Sequence, residues 1–206
     1  MSAICIHGAG AVTPAGWGLT ALADALARGQ PLAANPVERP GSRPRLRART
    51  VPPAAPRPAF LAHPRLRRAS PIAHYTVFAA LEALGSSPLP PPPPDRLGVV
   101  FCTVCGSMRY TNRFFAETLA DPATASPLVF PETVFNSPAS HLAAYLARAG
   151  VNYTLLGDQG VFLQGLATAA DWLDDGDADG CLVIAAEETD WTMAAAAVLA
   201  LTATAA

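Results

Sequence analysis

The chain has 206 residues, of which 51% are hydrophobic and 15% charged, and its formal net charge is −2. This length suffices for one sizeable core, so we predict a single globular domain over residues 1–206. A composition this rich in hydrophobic residues favours secondary-structure elements that are buried on both faces, or a surface that a partner covers. The apolar runs are shorter than the roughly 20 residues that span a bilayer, and the N-terminus lacks the basic start of a signal peptide, so we expect a cytoplasmic protein.

The first apolar run, residues 3–7, precedes Gly-Ala-Gly and predicts a buried strand that enters a tight turn. Helical spacing of leucine and alanine predicts a helix from Leu19 to Arg28. The two glycines do not form a dinucleotide-binding fingerprint, because Thr13 stands where that motif needs its third glycine.

Residues 31–70 are rich in proline and arginine without a sustained period, and we interpret them as an irregular excursion. Nine arginines and no acid lie between residues 39 and 68, in a chain that has no lysine. A solvated loop is one interpretation, and a docking surface for an acidic partner is the other. Nucleic acid is disfavoured, because Phe60 is the segment's only aromatic residue for stacking. The docking candidates are Arg45, Arg47, Arg49, Arg65, Arg67 and Arg68.

The next elements follow from apolar spacing and from caps. A helix over 71–84 is predicted, with Ser70 as N-cap and Pro71 in its first turn. The prolines at 90–94 predict a stiff extended connector, and residues 97–102 then form a buried strand. A helix is expected over 108–119.

The remaining pattern also alternates between helix and strand. Ser137 is predicted to cap a helix over 138–149 that Gly150 stops, and a strand follows at 151–156. A sharp turn at Gln159 begins a helix that extends to about residue 173, before a strand at 181–186. This alternation predicts an α/β fold with a mostly parallel sheet covered by helices on both faces.

The cysteines do not predict a metal or redox site. Cys102 and Cys105 form a C-x-x-C, but Cys102 ends a buried-strand pattern and no second pair follows. The four histidines are not spaced as ligand pairs, so we expect no metal and no cofactor.

Four stretches, in order, resemble the N-terminal half of the β-ketoacyl synthases of the thiolase-like superfamily. They are HGAGAVTPAGWGLTALADALARGQ, LGVVFCTVCGSM, FNSPASHLAAYLARAGVNYTLL and GDQGVFLQGLATAADWLDDGDADGCLVIAAEE. The resemblance covers nearly the whole chain and implies the N-terminal half of the thiolase-like fold. It also places Gln159 at the position of the family's nucleophilic cysteine. A glutamine has no ionisable proton and cannot form the acyl-thioester intermediate; the alternative interpretation is that Gln159 merely caps the turn.

A glutamine at this position resembles the chain-length factors, inactive subunits that pair with an active ketosynthase in polyketide and some aryl-polyene-type fatty-acid systems. The resemblance implies a heterodimer in which the partner supplies the nucleophile and histidines, and this subunit helps to shape the acyl tunnel. The tunnel candidates are Met108, Phe114, Phe115, Phe130 and Phe135, with a role in the ordinary core as the alternative.

Two other functions stay open at this stage. Acyl carrier proteins are acidic, so the arginine-rich segment could make the chain a carrier-binding module. The family's two catalytic histidines lie in its C-terminal half, beyond the part that this sequence matches, so the chain could also be the N-terminal part of a longer active condensing enzyme.

Overall fold

The computed structural model describes residues 4–37, 46–147, 150–188 and 198–205. Its main sheet has six strands in the order β2-β1-β8-β7-β5-β6. Strands β7, β5 and β6 run parallel, while β8 is antiparallel to both β1 and β7. The strands are β1 Ile4–Thr13, β2 Gly16–Trp17, β5 Leu97–Thr103, β6 Asn152–Leu156, β7 Gly180–Ala185 and β8 Val198–Ala205. The predicted α/β architecture is confirmed, and β8 adds an antiparallel strand at its centre.

Helices cover both faces of this sheet. They are α1 Leu19–Arg28, α2 Pro71–Ser86, α3 Met108–Ala120, α4 Ser137–Tyr145 and α5 Val161–Asp174. One core cluster packs α2 and α4 against alternate residues of β5 such as Val99 and Phe101. The other packs α5 against the intervening residues Val100 and Cys102. Because successive side chains of a strand point to opposite faces, a strand with both faces covered is apolar throughout, as β5 is.

The Gly-Ala-Gly sequence does not form the predicted tight turn, because β1 continues through it to Thr13. A Cβ atom on Gly10 would lie 2.1 Å from the carbonyl oxygen of Ala79 in α2, so glycine lets this helix lie directly on the strand. The turn comes later, between β1 and β2, where Thr13 Oγ1 accepts a hydrogen bond from Ala15 N at 3.1 Å.

Helix α1 has the predicted bounds, and its start is held by another helix. The carboxylate of Glu82 in α2 accepts hydrogen bonds from Leu19 N at 2.8 Å and from Ala11 N at 2.9 Å. A side chain distant in sequence thus satisfies the donor that a local cap would normally satisfy.

Of the two predicted caps, one is confirmed and one is wrong. Ser70 is the N-cap residue of α2, as predicted, although its side chain makes no capping hydrogen bond. Ser137 is the first residue of α4 and Asn136 is its N-cap residue, because Ser137 Oγ donates instead to Glu132 at 3.4 Å. The predicted end of α4 is also wrong, because the helix stops at Tyr145, before Ala147 adopts a positive φ of 50°.

The described residues of the excursion, 31–37 and 46–70, contain three short elements. Strands β3 Asn35–Val37 and β4 Leu46–Ala48 form an antiparallel pair, and a 3₁₀ turn covers Ala59–Ala62. Arg39, Arg43 and Arg45 lie outside the described residues. No helix within the described part of the chain is long and apolar enough to cross a membrane.

Candidate functional site

Gln159 lies at the carboxyl end of the parallel strands, in the turn that joins β6 to α5. The side chain of Asp158 stabilises this turn, because its Oδ1 accepts a hydrogen bond from Gly160 N at 2.7 Å. The Gln159 side chain is exposed and makes no hydrogen bond to any residue of the described chain. Asp158 therefore caps the turn, and the capping role considered for Gln159 is wrong.

The setting of Gln159 is that of a strand-to-helix elbow. It stands two residues before Val161, the first residue of the 14-residue helix α5, and so near the positive end of the helix dipole. Such a position favours negative charge and supplies backbone N–H groups. The amide at residue 159 cannot use it for nucleophilic attack, because it carries no ionisable proton.

The turn after β5 lies beside this elbow. Gly157 N donates to the carbonyl oxygen of Thr103 at 3.3 Å, which ties the two strand ends together. Glu187, just beyond the end of β7, binds the same turn: Thr103 Oγ1 donates to its Oε1 at 3.1 Å, and Cys105 N donates to its Oε2 at 3.0 Å. The carboxyl ends of β5, β6 and β7 thus form one connected edge.

A second polar cluster lies behind the segment that follows α3. Glu132 is only 6% exposed, and its carboxylate accepts hydrogen bonds from Ser70 N at 2.9 Å and from His141 Nε2 at 2.6 Å. Burial works against ionisation of Glu132, but the hydrogen bonds from His141 and Ser70 outweigh it and lower its pKa. This buried carboxylate joins α2, α4 and the 3₁₀ turn at Phe130–Glu132.

The tunnel candidates do not belong to the ordinary core. Phe115, Phe130 and Phe135 are 61%, 54% and 43% exposed, while Met108 and Phe114 are half-buried. The rings of Phe114 and Phe130 pack with their centroids 5.4 Å apart. We call Phe114, Phe115, Phe130 and Phe135 the aromatic surface.

The aromatic surface reaches the turn after β5 through one close contact. Gly106 has a φ of +64°, and a Cβ atom there would lie 2.7 Å from Phe135 Cδ1. Glycine is needed at this position for both reasons, the left-handed backbone and the ring that packs against it.

The docking arginines fall into two groups. Arg47 and Arg49 donate to the carbonyl oxygens of Ala34 and Leu32 at 2.9 and 2.8 Å, so they hold the excursion together. The side chains of Arg65, Arg67 and Arg68 are exposed and form no hydrogen bond or ion pair with the described residues. Arg65 also lines a cleft of about 320 Å³ beside Glu132 and His141.

The thiols and histidines are dispersed. Burial raises the pKa of Cys102 to about 11 and that of Cys181 to about 12, which disfavours their reactive thiolates. His74 Nε2 lies 2.7 Å from the Leu66 carbonyl oxygen, and burial lowers its pKa. Among the described residues, no group of three or more histidine, cysteine or acidic side chains could hold a metal ion.

Sequence reasoning predicts the sharp turn at Gln159 but misses three hydrogen-bond acceptors of this region. The first is Asp158, whose carboxylate caps the predicted turn. The second is Glu187, which follows the strand predicted at 181–186, but no local pattern indicates that it reaches a turn more than 80 residues earlier. Glu132 follows a proline in an unpatterned segment, and only the tertiary contacts identify it.

No protein-family model and no curated protein matches this sequence. Solved structures do match. A chain of the ishigamide ketosynthase/chain length factor has a TM-score of 0.81 at 19% identity, over 98% of this chain and 62% of that one. A type II PKS acyl-carrier protein in complex with its ketosynthase bound to the hexaketide gives a TM-score of 0.79 at 17% identity, over 99% and 63%.

A third structure is a ketosynthase (ApeO) in complex with its chain length factor (ApeC) from Xenorhabdus doucetiae. Its TM-score is 0.66 at 20% identity, over 100% of this chain and 80% of the matched chain. This chain thus spans little more than three fifths of the length of the first two matched chains. The described chain has the thiolase-like fold of the ketosynthases and their chain length factors.

Proposed function

We propose that this protein is a non-catalytic, chain-length-factor-like subunit that pairs with an active β-ketoacyl-ACP synthase and helps to shape its acyl tunnel. The observation that carries this proposal is Gln159 at the elbow of a ketosynthase fold. The start of α5 supplies the helix dipole and the backbone N–H donors that a nucleophile would need. The residue at this position, Gln159, has no nucleophilic group. The partner therefore supplies the thiol and the histidines.

The exposed apolar residues support pairing with another protein. Strand β6 is at the edge of the sheet, where no described strand covers its outer side, and Tyr153 and Leu156 on it are 55% and 50% exposed. An uncovered strand with apolar side chains is a ready site for association. The aromatic surface adds three phenylalanine rings more than 40% exposed.

Co-expression with a ketosynthase from the same gene neighbourhood tests the proposal. We expect a stable 1:1 complex by native mass spectrometry and light scattering, and condensation only when the complex contains the ketosynthase cysteine. A matched complex with the ketosynthase cysteine changed to alanine should form equally well and yield no product. Recovery of this chain only as a free, well-behaved monomer would refute the pairing.

A carrier-binding role is the second candidate, and the uncommitted arginines favour it. Arg65, Arg67 and Arg68 present three exposed cations within four residues, and one matched structure contains an acyl-carrier protein with its ketosynthase. Binding of an acidic carrier protein should weaken steeply as salt is added. Changing Arg67 and Arg68 together to glutamine should weaken binding about tenfold, whereas Arg28→Gln, on the exposed end of α1, should not. Equal affinities for the two variants would exclude this surface.

The third possibility, an N-terminal part of a longer active condensing enzyme, is tested by the intact mass of the native protein. A mass equal to that of the 206-residue chain supports the subunit proposal. A larger mass, with a cysteine–histidine site in the added sequence, would favour the enzyme.

A further inference from the structure

The carboxylate of Glu187 accepts hydrogen bonds from three consecutive residues of one short turn. Its Oε1 accepts hydrogen bonds from Thr103 Oγ1, at 3.1 Å, and from the backbone N–H of Val104; its Oε2 accepts one from Cys105 N at 3.0 Å. Hydrogen bonds to an ionised carboxylate are stronger than those between neutral groups. Three of them on consecutive residues fix the turn after β5 to the end of β7.

This turn leads directly to the aromatic surface. Gly106 N donates to Thr103 Oγ1 at 2.9 Å, which closes the turn and holds Gly106 in its left-handed conformation beside Phe135. The next residue, Ser107, forms an isolated parallel bridge with Glu188 before α3 begins at Met108. A shift of the turn would therefore move the start of α3 and also Gly106, against which the Phe135 ring packs.

The same turn also meets the Gln159 elbow. Thr103 uses its hydroxyl to bind Glu187, while its carbonyl oxygen accepts the hydrogen bond from Gly157 N. Gly157 is two residues before Gln159, and Asp158 between them caps the turn. A continuous series of hydrogen bonds thus joins Glu187, Thr103 and the Gln159 elbow.

We propose that Glu187 is a positioning residue that sets the aromatic surface relative to the Gln159 elbow and thereby helps to determine the length of the acyl chain that the complex makes. This inference rests on the proposed function, because a tunnel wall matters only in a complex with a ketosynthase. Glu187 does not touch the reacting atoms; it acts through the turn at residues 103–106.

The first experiment uses the chain alone. In Glu187→Gln, one acceptor oxygen becomes an NH₂ donor that faces a backbone N–H, so the turn loses part of its support. Hydrogen exchange at the amides of Val104 and Cys105 should become about tenfold faster, whereas Asp179→Asn, at the opposite end of β7, should leave it unchanged. Unchanged exchange in Glu187→Gln would overturn the positioning role.

The second experiment uses the complex with the ketosynthase. Glu187→Gln and the shorter Glu187→Asp should both still form the complex, and the distribution of product lengths should shift more than the total yield falls. A loss of yield with an unaltered length distribution would indicate a merely structural role and overturn the inference. If Glu187→Gln does not fold, Glu187→Asp retains the charge and carries the test.

The two proposals fail in different ways. A wild-type chain that forms no complex would refute the proposed function, and with it any effect on product length. A normal complex whose products are identical in wild type and in both Glu187 variants would refute only the role of Glu187.

Discussion

Helices α2 and α3 are both rich in apolar residues, yet the protein uses them in opposite ways. Seven of the sixteen residues of α2 are buried, and the helix packs against both the sheet and α4. None of the thirteen residues of α3, all of them described, is buried, and Phe115 and Leu119 on it are 61% and 70% exposed. Apolar content alone does not make a core helix; α2 stabilises the chain, whereas α3 leaves an apolar side exposed.

The largest expected effect is a difference in unfolding free energy between a substitution in α2 and one in α3. Ile72→Ala in α2 removes a fully buried side chain and should lower the free energy of unfolding by about 2–5 kcal/mol. Phe115→Ala in α3 should change it by no more than about 0.5 kcal/mol, because the ring is mostly in water. Urea denaturation of both variants measures the difference, and equal losses would contradict the comparison.

The next effect concerns the buried carboxylate of Glu132, which joins the start of α2 to α4. Glu132→Gln removes the ionised acceptor shared by Ser70 and His141 and should cost about 1–3 kcal/mol of unfolding free energy. The matched control is Glu117→Gln on α3, whose carboxylate pairs with Arg113 at the surface, and this change should cost less unfolding free energy than Glu132→Gln. A smaller loss for Glu132→Gln than for the control would argue against the cluster.

The ionisation of Glu132 should also make the free energy of unfolding depend on pH. The pKa of Glu132 is lowered in the folded state, so its contribution is complete above the ordinary glutamate pKa of 4.5 and is lost as the pH falls through the lower folded value. The pKa of His74 is also lowered, so a further loss should begin as the pH falls below 6.5. Unfolding measured between pH 7 and pH 3 should show a smaller acid loss in Glu132→Gln than in wild type.

A third effect should appear only in the complex. Phe115→Ala should weaken binding to the ketosynthase about tenfold, which corresponds to about 1.4 kcal/mol, since exposed aromatic rings at protein interfaces often contribute this much. Calorimetric titration measures it, with Leu26→Ala on the exposed side of α1 as the matched control. Equal affinities of the two variants would place the partner elsewhere and remove the suggested role of α3.

The smallest effect is expected at the start of α5, where an exposed and a hydrogen-bonded side chain are adjacent. Gln159→Ala should leave the unfolding free energy within about 0.5 kcal/mol of wild type, because its amide contacts nothing in the described chain. Asp158→Ala should cost about 1 kcal/mol, because Gly160 N loses its acceptor. In the complex, lower product formation by Gln159→Ala with unchanged stability would reveal a direct role for the amide.

Much of the fold could be predicted because the signals were local. The bounds of α1 follow from leucine spacing, and those of β5 from a continuous apolar run. The ends of α4 could not be predicted, because Ser137 binds Glu132 and Ala147 ends the helix through its backbone conformation. Strand β8 was also missed, since alanine and threonine in an Ala-rich tail carry little strand signal; its pairing with β1 and β7 depends on strands far away in the chain.

The sequence by itself determined the alternation of strands and helices and the place of Gln159 at an elbow, because apolar periodicity and turn residues act over a few neighbours. Only the tertiary structure decided which arginines are uncommitted, that α3 is exposed, and that Glu187 holds the turn after β5. The contacts of Glu187 join groups more than 80 residues apart in the chain, and no local pattern encodes contacts at such a distance. Gln159 leaves the elbow without a nucleophile. The hydrogen bonds around it connect the carboxyl ends of β5, β6 and β7.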